Sequence, residues 1–339
     1  MPDIIFKRIL FEQAALDYPL GRQVLKRCRE AGLEVSILKG SRVSGIPGQT
    51  PRESFFQGKA TLVVGVRREM DYATCKPSAH FQLPLVSGCP GMCEYCYLQT
   101  QMGKRPYTRA YVNIEEILAQ AGQLIEQRLP AVTVFEAAAT SDPLPVESLS
   151  GALSRAIQYF ASQPQGRLRF VTKYPLVQSL LRLNHAGHTR IRFSINTPSV
   201  VNRFEHRTPP VKQRIYALKE VMDHGYPAGV IIAPVILEPG WEDDYRMLID
   251  DLRMAGLPEA SLNFEIISHR FTTRAKNRIL EVFPESTLPM DESGPRQYRF
   301  GQFGYGKYVY DKESLAAMKA FFAKEIAELF PGAVIEYII

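Results

Sequence analysis

Cysteine and long apolar runs are both scarce in this chain. Only five of its 339 residues are cysteines, which is too few for the disulfide framework of a small secreted domain. The longest apolar stretch, around residues 230–237, is far shorter than the roughly 20 residues that span a bilayer. Residues 1–8 mix charged and apolar side chains and lack the apolar core of a signal peptide. We therefore expect a cytoplasmic protein with no membrane segment.

Net charge is also modest. The formal value of +6 at pH 7 favours an acidic partner such as nucleic acid only slightly. The distribution is more informative, because residues 266–280 and 293–310 contain basic side chains and no acidic one. The candidates for nucleic-acid contacts come from these two stretches and are Arg270, Arg274, Arg296, Arg299, Tyr305 and Lys307.

Three of the five cysteines lie close together, in the run Cys89-Pro-Gly-Met-Cys93-Glu-Tyr-Cys96. Thiolates hold [4Fe–4S] clusters, and three of them leave one iron open to bind a substrate or cofactor. The neighbouring glycines and proline favour the tight turns that bring the sulfur atoms to one cluster. The alternative is a zinc site completed by a histidine such as His80. Structural zinc sites usually have a second cysteine pair, and the sequence has none.

From about residue 80 the chain alternates strand-like and helical patterns. Apolar or β-branched runs occur at residues 82–86, 131–135, 168–172, 190–195, 228–235 and 261–267. This alternation predicts a parallel sheet with right-handed crossovers, and six such units fit a partial (β/α)6 barrel. In barrels the reacting groups lie at the carboxyl ends of the strands. The polar or small residues at those ends are Ser141, Asp142, Lys173, Ser194, Asn196, Ala233 and His269.

Residues 1–75 have a different pattern. A predicted helix near residues 20–31 is followed by strand-like runs at 35–38 and 62–66, which indicates a small α/β domain. The segment 39–57 is rich in Gly, Ser and Pro and is predicted to be a linker. We therefore divide the chain into an N-terminal domain of residues 1–75 and a barrel domain of residues 76–339.

An aromatic segment lies near the C-terminus. Residues 298–310 place two alternating aromatic arms around a glycine-rich centre, which predicts a β-hairpin. Aromatic side chains beside basic ones can stack on bases and hold phosphates. The other interpretation is that these tyrosines pack against the barrel, since aromatic residues are common in strands.

The cysteine triplet, with Tyr95 before its last cysteine, resembles the motif of the radical S-adenosylmethionine (SAM) superfamily. The resemblance implies that SAM binds the open iron. One electron from the reduced cluster would then release a 5′-deoxyadenosyl radical. The implied cofactors are a [4Fe–4S] cluster and SAM, while the protein supplies position and excludes water.

Over essentially its whole length the chain resembles the spore photoproduct lyase family. The resemblance rests on residues 38–41, 87–98, 136–143 and 193–196 and on the aromatic segment 300–310. It implies a DNA repair enzyme of spores or germinating cells that reverses the lesion 5-thyminyl-5,6-dihydrothymine to two thymines. The implied partners are lesion-containing DNA, with the lesion flipped out of the stack, and a small reductant protein of the ferredoxin or flavodoxin type.

The resemblance also implies roles for individual residues. The cluster ligands would be Cys89, Cys93 and Cys96. The residues that relay the radical or contact SAM would be Tyr95 and Tyr97. The SAM-binding residues would be Ser141, Lys173, Ser194, Asn196 and Ala233. Lys173 has a physical reason for this role, since its ammonium can pair with the carboxylate of SAM.

The chain departs from the family at Ala139. The family has a cysteine at this position, and that cysteine is the expected donor of the hydrogen atom that quenches the thymine radical. Two explanations are open. Either the chain is an engineered, impaired active-site variant, which is our prediction, or another residue such as Tyr97 or Cys75 is the donor. An impaired variant should still cleave the lesion bond but quench the radical slowly or wrongly.

Two other functions compete with this one. A radical SAM enzyme that acts on another nucleic acid, such as tRNA, usually has further cysteine clusters, and Cys28 and Cys75 do not form one. A zinc-stabilised nucleic-acid-binding protein would be colourless, whereas an iron–sulfur protein is brown.

Overall fold

A computed structural model describes residues 5–258, 262–300, 304 and 306–339 of the chain. The strands of the described part are β1 Arg8–Glu12, β2 Val35–Leu38, β3 Thr61–Gly65, β4 Thr74–Cys75, β5 Ala79–Gln82, β6 Val86–Ser87, β7 Met92–Cys93, β8 Thr108–Tyr111, β9 Thr133–Glu136, β10 Gly166–Thr172, β11 Thr189–Ile195, β12 Glu205–His206, β13 Ala228–Val235, β14 Leu262–Ser268, β15 Arg296–Phe300, β16 Gly306–Tyr310 and β17 Val334–Ile338. The helices are α1 Pro19–Glu30, α2 Pro51–Lys59, α3 Leu98–Gln101, α4 Ile114–Glu126, α5 Leu144–Ser150, α6 Ala152–Ala161, α7 Pro198–Phe204, α8 Val211–Asp223, α9 Trp241–Met254, α10 Thr273–Val282 and α11 Lys312–Leu329, with a 3-10 helix at Gln13–Asp17.

The chain forms two compact units. The first consists of Met1–Gly91 with Met102–Ile191, and the second of Met92–Gln101 with Arg192–Ile339. The predicted boundary after residue 75 falls inside the first unit, and the division into domains at that point stays a prediction. No helix among the described residues is both long and apolar enough to cross a membrane.

A five-stranded sheet in the first unit has the order β2-β1-β3-β8-β6. β1 runs parallel to both β2 and β3, β3 is parallel to β8, and β6 is antiparallel to β8. Every residue of β3 is buried, as expected for a strand between parallel neighbours. The sheet that begins in the predicted N-terminal domain therefore continues to Tyr111.

The first unit also contains the neighbouring strands β4, β5, β9 and β10, in that order. β5 is parallel to β9 and β9 to β10, whereas β4 is antiparallel to β5. Their core is aromatic, since the rings of Phe81 and Phe160 lie 5.8 and 5.3 Å from the ring of Phe135. This packing fixes the strand β9, whose following loop carries Ala139.

In the second unit β13 pairs in parallel with β14, and β14 with β17. Helix α9 packs on α11 through aromatic rings: Trp241 lies 5.0 Å from Phe321, and Tyr245 lies 5.4 Å from Phe322. The predicted hairpin is present as the antiparallel pair of β15 and β16.

Most predicted elements agree with the structure to within a few residues, and β2 and β13 match their predicted bounds. The predicted strand at residues 82–86 is instead two short strands, β5 and β6, with a loop between them. The linker prediction for residues 39–57 was wrong at its end, because α2 begins at Pro51. Thr50 and Glu53 form a capping box there, in which each side chain accepts from the backbone N–H of the other. The glycine, serine and proline content concealed this helix-start signal.

Candidate active site

The loop that carries the cysteine triplet begins at Gly88, which has a left-handed backbone with φ of +76°. Its N–H donates to the carbonyl of Thr140 at 2.9 Å, and Gly88 forms a parallel bridge with Ser141. A Cβ at residue 88 would lie 2.4 Å from the carbonyl oxygen of Tyr107. Glycine is therefore needed here for both its backbone angle and its close neighbour. The bridge holds the start of the cysteine loop against the loop after β9.

A buried lysine holds the backbone of Cys89. Lys59, the last residue of α2, donates from Nζ to the Cys89 carbonyl at 2.8 Å. Only 1% of the Lys59 surface is exposed. The Cys89 Sγ accepts a hydrogen bond from the Gly91 N–H at 3.3 Å. Hydrogen bonds to cysteine sulfur are among the features that set the potential of an iron–sulfur cluster.

Cys93 lies on β7, which pairs antiparallel with β12 and places Cys93 opposite Glu205. The N–H of Glu94 donates to the carbonyl of Phe204 at 2.9 Å. The N–H of Cys96 donates to the carbonyl of Cys93 at 3.2 Å, so the chain turns back between the second and third cysteines. The short ladder and this turn fix the backbone of both residues.

Tyr95 is held by a buried ion pair. Its hydroxyl donates to the carboxylate of Glu205, which pairs with Arg214 Nη2 at 2.7 Å, and neither charged side chain is exposed. Arg214 also donates to the Ser194 carbonyl at 3.0 Å. Burial raises the pKa of Tyr95 well above its usual value, and the negative charge of Glu205 adds to the shift. The orientation of the Tyr95 ring therefore depends on Glu205.

Glu94, the other residue between Cys93 and Cys96, is buried and anchored in the same way. Its carboxylate contacts Nε2 of His206 at 2.6 Å and accepts from the hydroxyl of Ser286. Both residues between the second and third cysteines are thus held by side chains of the second unit.

His80, the histidine considered for a zinc site, is engaged elsewhere. Its Nδ1 accepts from the Val134 N–H at 3.0 Å, and burial lowers its pKa. Across the described residues, no three His, Cys, Asp or Glu side chains converge as they do around a single ion. A cluster needs no such convergence, because each thiolate binds a different iron. None of the three cysteines of the loop is in a disulfide, so this donor set fits an iron–sulfur cluster.

The loop after β9 lines a pocket of about 80 Å³ in the first unit. Ala139 contributes to its wall together with Tyr72, Ala73 and Gln82. Ser141, two residues further on, is buried, and its hydroxyl donates to the carbonyl of Ala137 at 3.3 Å. Ala139, where the family resemblance implies a cysteine, therefore faces a cavity.

Asp142 ties this loop to the end of β10. Its carboxylate accepts from the Lys173 N–H at 2.9 Å, the Thr172 hydroxyl at 3.0 Å and the Leu144 N–H at 3.2 Å. Burial raises the pKa of Asp142 to about 6, against the lowering effect of these hydrogen bonds. Asp142 thus braces the backbone that positions Ser141 and Lys173.

Asn196 is a brace between β11 and β13. Its Nδ2 donates to the Pro234 carbonyl at 2.8 Å, and its Oδ1 accepts from the Tyr245 hydroxyl at 3.0 Å. Ala233, next to that proline, is half-buried on β13, and Ser194 is buried on β11. The SAM contacts predicted for these residues stay predictions.

The predicted DNA contacts lie in different environments. Arg274 and Arg299 are exposed, while Arg270 and Lys307 are half-buried. Burial lowers the pKa of Lys307, and the positive charge of Arg270 adds to this effect. Tyr305 lies outside the described residues.

Arg296 is placed differently. Only 8% of it is exposed, and it donates to the carbonyls of His269 and Pro289 at 2.7 and 3.2 Å. Its guanidinium carbon lies 3.6 Å from the centre of the Tyr310 ring. We therefore assign Arg296 a structural role at the base of the hairpin instead of the predicted phosphate contact.

Some aromatic residues of the C-terminal segment pack against the protein, and others are exposed and could stack on bases. Tyr308 stacks on Phe271 with ring centres 5.2 Å apart, and Tyr310 is buried. Tyr298 and Phe300 are 52% and 77% exposed. One arm therefore packs inward and the other leaves two aromatic rings accessible.

Sequence reasoning missed three charged residues that hold the cysteine loop: Lys59, Glu205 and Arg214. None belongs to a recognisable motif. A weak signal existed for Arg214, which lies on the apolar face of α8 between Val211 and Leu218, where an arginine requires a buried partner.

The comparisons with known proteins agree over the whole chain. The family model described as "Spore photoproduct lyase" matches residues 1–339. A spore photoproduct lyase of Clostridium acetobutylicum is 52% identical over 335 residues, with 99% of each chain covered. One from Bacillus subtilis is 42% identical over 333 residues, with 97% of each covered.

Solved structures also match the chain over nearly its whole length. A spore photoproduct lyase complexed with dinucleoside spore photoproduct is 41% identical, with a TM-score of 0.96 and 99% of each chain covered. A double mutant, with one cysteine changed to alanine and one serine to cysteine, holds AdoMet and the same dinucleoside. It is 42% identical, with a TM-score of 0.96. These matches confirm the predicted fold class, a mixed α/β fold with a partial TIM-type barrel of the radical SAM type. The chain belongs to the spore photoproduct lyase family.

Proposed function

We propose that this protein is a radical SAM carbon–carbon lyase that repairs 5-thyminyl-5,6-dihydrothymine in DNA to two thymines. The observation that carries the proposal is the family match over residues 1–339. The solved relatives hold AdoMet and dinucleoside spore photoproduct, and we assign the same cofactor and lesion to this chain. A tRNA substrate is not favoured, because the full-length relatives are spore photoproduct lyases.

The cofactors are a [4Fe–4S] cluster and SAM, which together supply a 5′-deoxyadenosyl radical once the cluster is reduced. Cys89, Cys93 and Cys96 are the proposed ligands, and none of them is in a disulfide. Their loop is anchored at Gly88, at β7 and through the side chains of Glu94 and Tyr95. This anchoring supports the assignment, since outer contacts orient the groups that bind a metal.

The residues proposed to bind SAM are those that the family resemblance implies. Lys173 would pair with the carboxylate of SAM, and Asp142 holds the Lys173 backbone in place. Ser141, Ser194, Asn196 and Ala233 complete the proposed set. Tyr95 and Tyr97 are the proposed relay residues, and the two differ: the hydroxyl of Tyr95 is bound to Glu205, whereas Tyr97 is 51% exposed.

We propose Cys75 as the hydrogen-atom donor, instead of the impaired variant predicted from the sequence, because residues beside Cys75 line the same pocket as Ala139. Cys75 is a half-buried cysteine outside any disulfide, on β4, which pairs with β5. Ala73 and Gln82, on the same β4–β5 hairpin, line the pocket together with Ala139. Transfer of the S–H hydrogen to the thymine methyl radical forms the C–H bond of the restored methyl group and leaves a thiyl radical on Cys75. Tyr97 is the second candidate.

Four variants test the donor. Cys75→Ala should lower the rate of thymine recovery by at least about tenfold while 5′-deoxyadenosine still forms, and Cys28→Ala is the matched control for loss of a thiol. Tyr97→Phe tests the second candidate. Undiminished clean thymine from Cys75→Ala would exclude that donor. Poor recovery from the unaltered chain that Ala139→Cys restores would instead identify an impaired variant.

DNA is proposed to contact the hairpin and the basic segments. The exposed rings of Tyr298 and Phe300 would stack on bases or wedge the duplex. Arg270, Arg274, Arg299 and Lys307 would bind phosphates without reading sequence. A small reductant protein of the ferredoxin or flavodoxin type is the proposed source of the electron.

A further inference from the structure

Lys59 carries a buried positive charge without an acidic partner. Among the described residues its ammonium contacts the Cys89 carbonyl at 2.8 Å and lies 5.5 Å from the centre of the Phe55 ring. Only 1% of the residue is exposed, and no carboxylate pairs with it in the part of the chain that the structure describes. A buried charge is costly unless something compensates it. The carbonyl and the ring face compensate it only in part.

The contacts of Lys59 lead directly to the cysteine loop. Cys89 is the first proposed ligand of the cluster, and three thiolates give the bound cluster a net negative charge. Reduction adds one electron and hence one further negative charge, while no bond forms or breaks. The potential of such a cluster depends on nearby charge, hydrogen bonding and solvent exposure. A fixed cation behind Cys89 therefore stabilises the reduced state more than the oxidised one.

We infer that Lys59 is a positioning residue that raises the reduction potential of the cluster and orients Cys89. The inference deepens the proposed function and rests on it, because it needs a cluster on Cys89. The proposed role of Lys59 is indirect, because its ammonium contacts the backbone of Cys89. It acts through the backbone of a ligand, as outer contacts of metal sites do.

A purely structural role is the competing explanation. Lys59 lies in the last turn of α2, where a cation interacts favourably with the helix dipole. It also joins the end of that helix to the cysteine loop. These effects change the stability of the cluster-free protein. They do not require the cluster potential to change when the charge is removed and the side-chain length is kept.

The test is a reductive titration of the reconstituted protein with dithionite and mediators, followed by electron paramagnetic resonance of the reduced cluster. Lys59→Met removes the charge at similar length and should disfavour reduction at least about tenfold, which is 59 mV for one electron. Lys59→Arg retains the charge and should stay near the unaltered protein. Lys324→Met removes a charge from an exposed lysine in the C-terminal part of α11 and should leave the potential unchanged.

Each outcome decides the matter. If Lys59→Met has the potential of the unaltered protein, the inference is wrong while the proposed function stands. If Lys59→Met takes up no iron but Lys59→Arg does, the charge is needed to hold Cys89 for cluster binding, which supports the positioning role of Lys59. Loss of the circular dichroism of the cluster-free protein in both variants would make Lys59 a packing residue and overturn it. An unaltered protein that binds no iron would refute the proposed function instead.

Discussion

The buried carboxylate of Glu205 accepts a hydrogen bond from Tyr95 and forms an ion pair with Arg214. Glu205→Gln should leave Arg214 without a counter-charge in a site closed to water. We expect the free energy of unfolding of the cluster-free protein to fall by about 3–5 kcal/mol. Urea unfolding measures this loss. Glu238→Gln is the control, since its pair with Arg203 is about one-third exposed and should contribute about 1 kcal/mol or less. Equal losses in the two variants would contradict the account.

Asp142 should make stability depend on pH. Burial raises its folded pKa from 3.8 to about 6, so the folded protein binds this proton more tightly than the unfolded chain does. Stability is therefore lost as pH rises from about 4 to about 7, and a shift of about two units corresponds to about 3 kcal/mol.

Asp142→Asn cannot ionise and should lack this component. Urea unfolding of both proteins at about pH 4.5 and pH 7.5 isolates it, because other titrating groups cancel in the comparison. The difference in free energy of unfolding, unaltered minus variant, should fall as pH rises. Parallel pH profiles would show that Asp142 is not the group responsible.

At the scale of elements, the two strands of the β15–β16 hairpin differ. The aromatic residues of β16 pack against the protein, and we expect the exposed rings of β15 to bind DNA. Phe300→Ala and Tyr298→Ala should leave the free energy of unfolding within about 0.5 kcal/mol, because both rings are exposed. Each should weaken binding of lesion-containing duplex by about 1–3 kcal/mol if its ring stacks on a base. Fluorescence anisotropy measures the affinity, and Tyr216→Ala, an exposed tyrosine on α8, is the control. Unchanged affinity in both hairpin variants would remove the hairpin from the DNA interface.

Element positions could be predicted from sequence where periodicity was strong. The bounds of β2 and β13 and the hairpin followed from apolar or aromatic alternation. Helix α2 was not predicted, because the Gly, Ser and Pro residues around it indicated a loop. Thr50, Pro51 and Glu53 nevertheless form a recognisable helix-start signal. Lys59, at the end of that helix, was missed for the same reason.

At the scale of the whole molecule, the cysteine motif could be recognised from the sequence, whereas the residues that hold its loop in place could be identified only from the structure. The spacing of Cys89, Cys93 and Cys96 predicted an iron–sulfur loop without any structure. The partners that fix this loop come from distant positions, such as Lys59 and Glu205. Long-range pairs of isolated charges leave no periodic pattern in one sequence, so only the fold could bring them together.

The central claim is lesion-dependent radical repair, and one anaerobic assay tests it most directly. The reconstituted protein is mixed with SAM, dithionite and a DNA oligomer that carries 5-thyminyl-5,6-dihydrothymine, and mass-resolved chromatography follows 5′-deoxyadenosine and restored thymine. The account predicts 5′-deoxyadenosine that depends on the lesion, together with loss of the lesion bond. Formation of 5′-deoxyadenosine with the lesion left intact would contradict it.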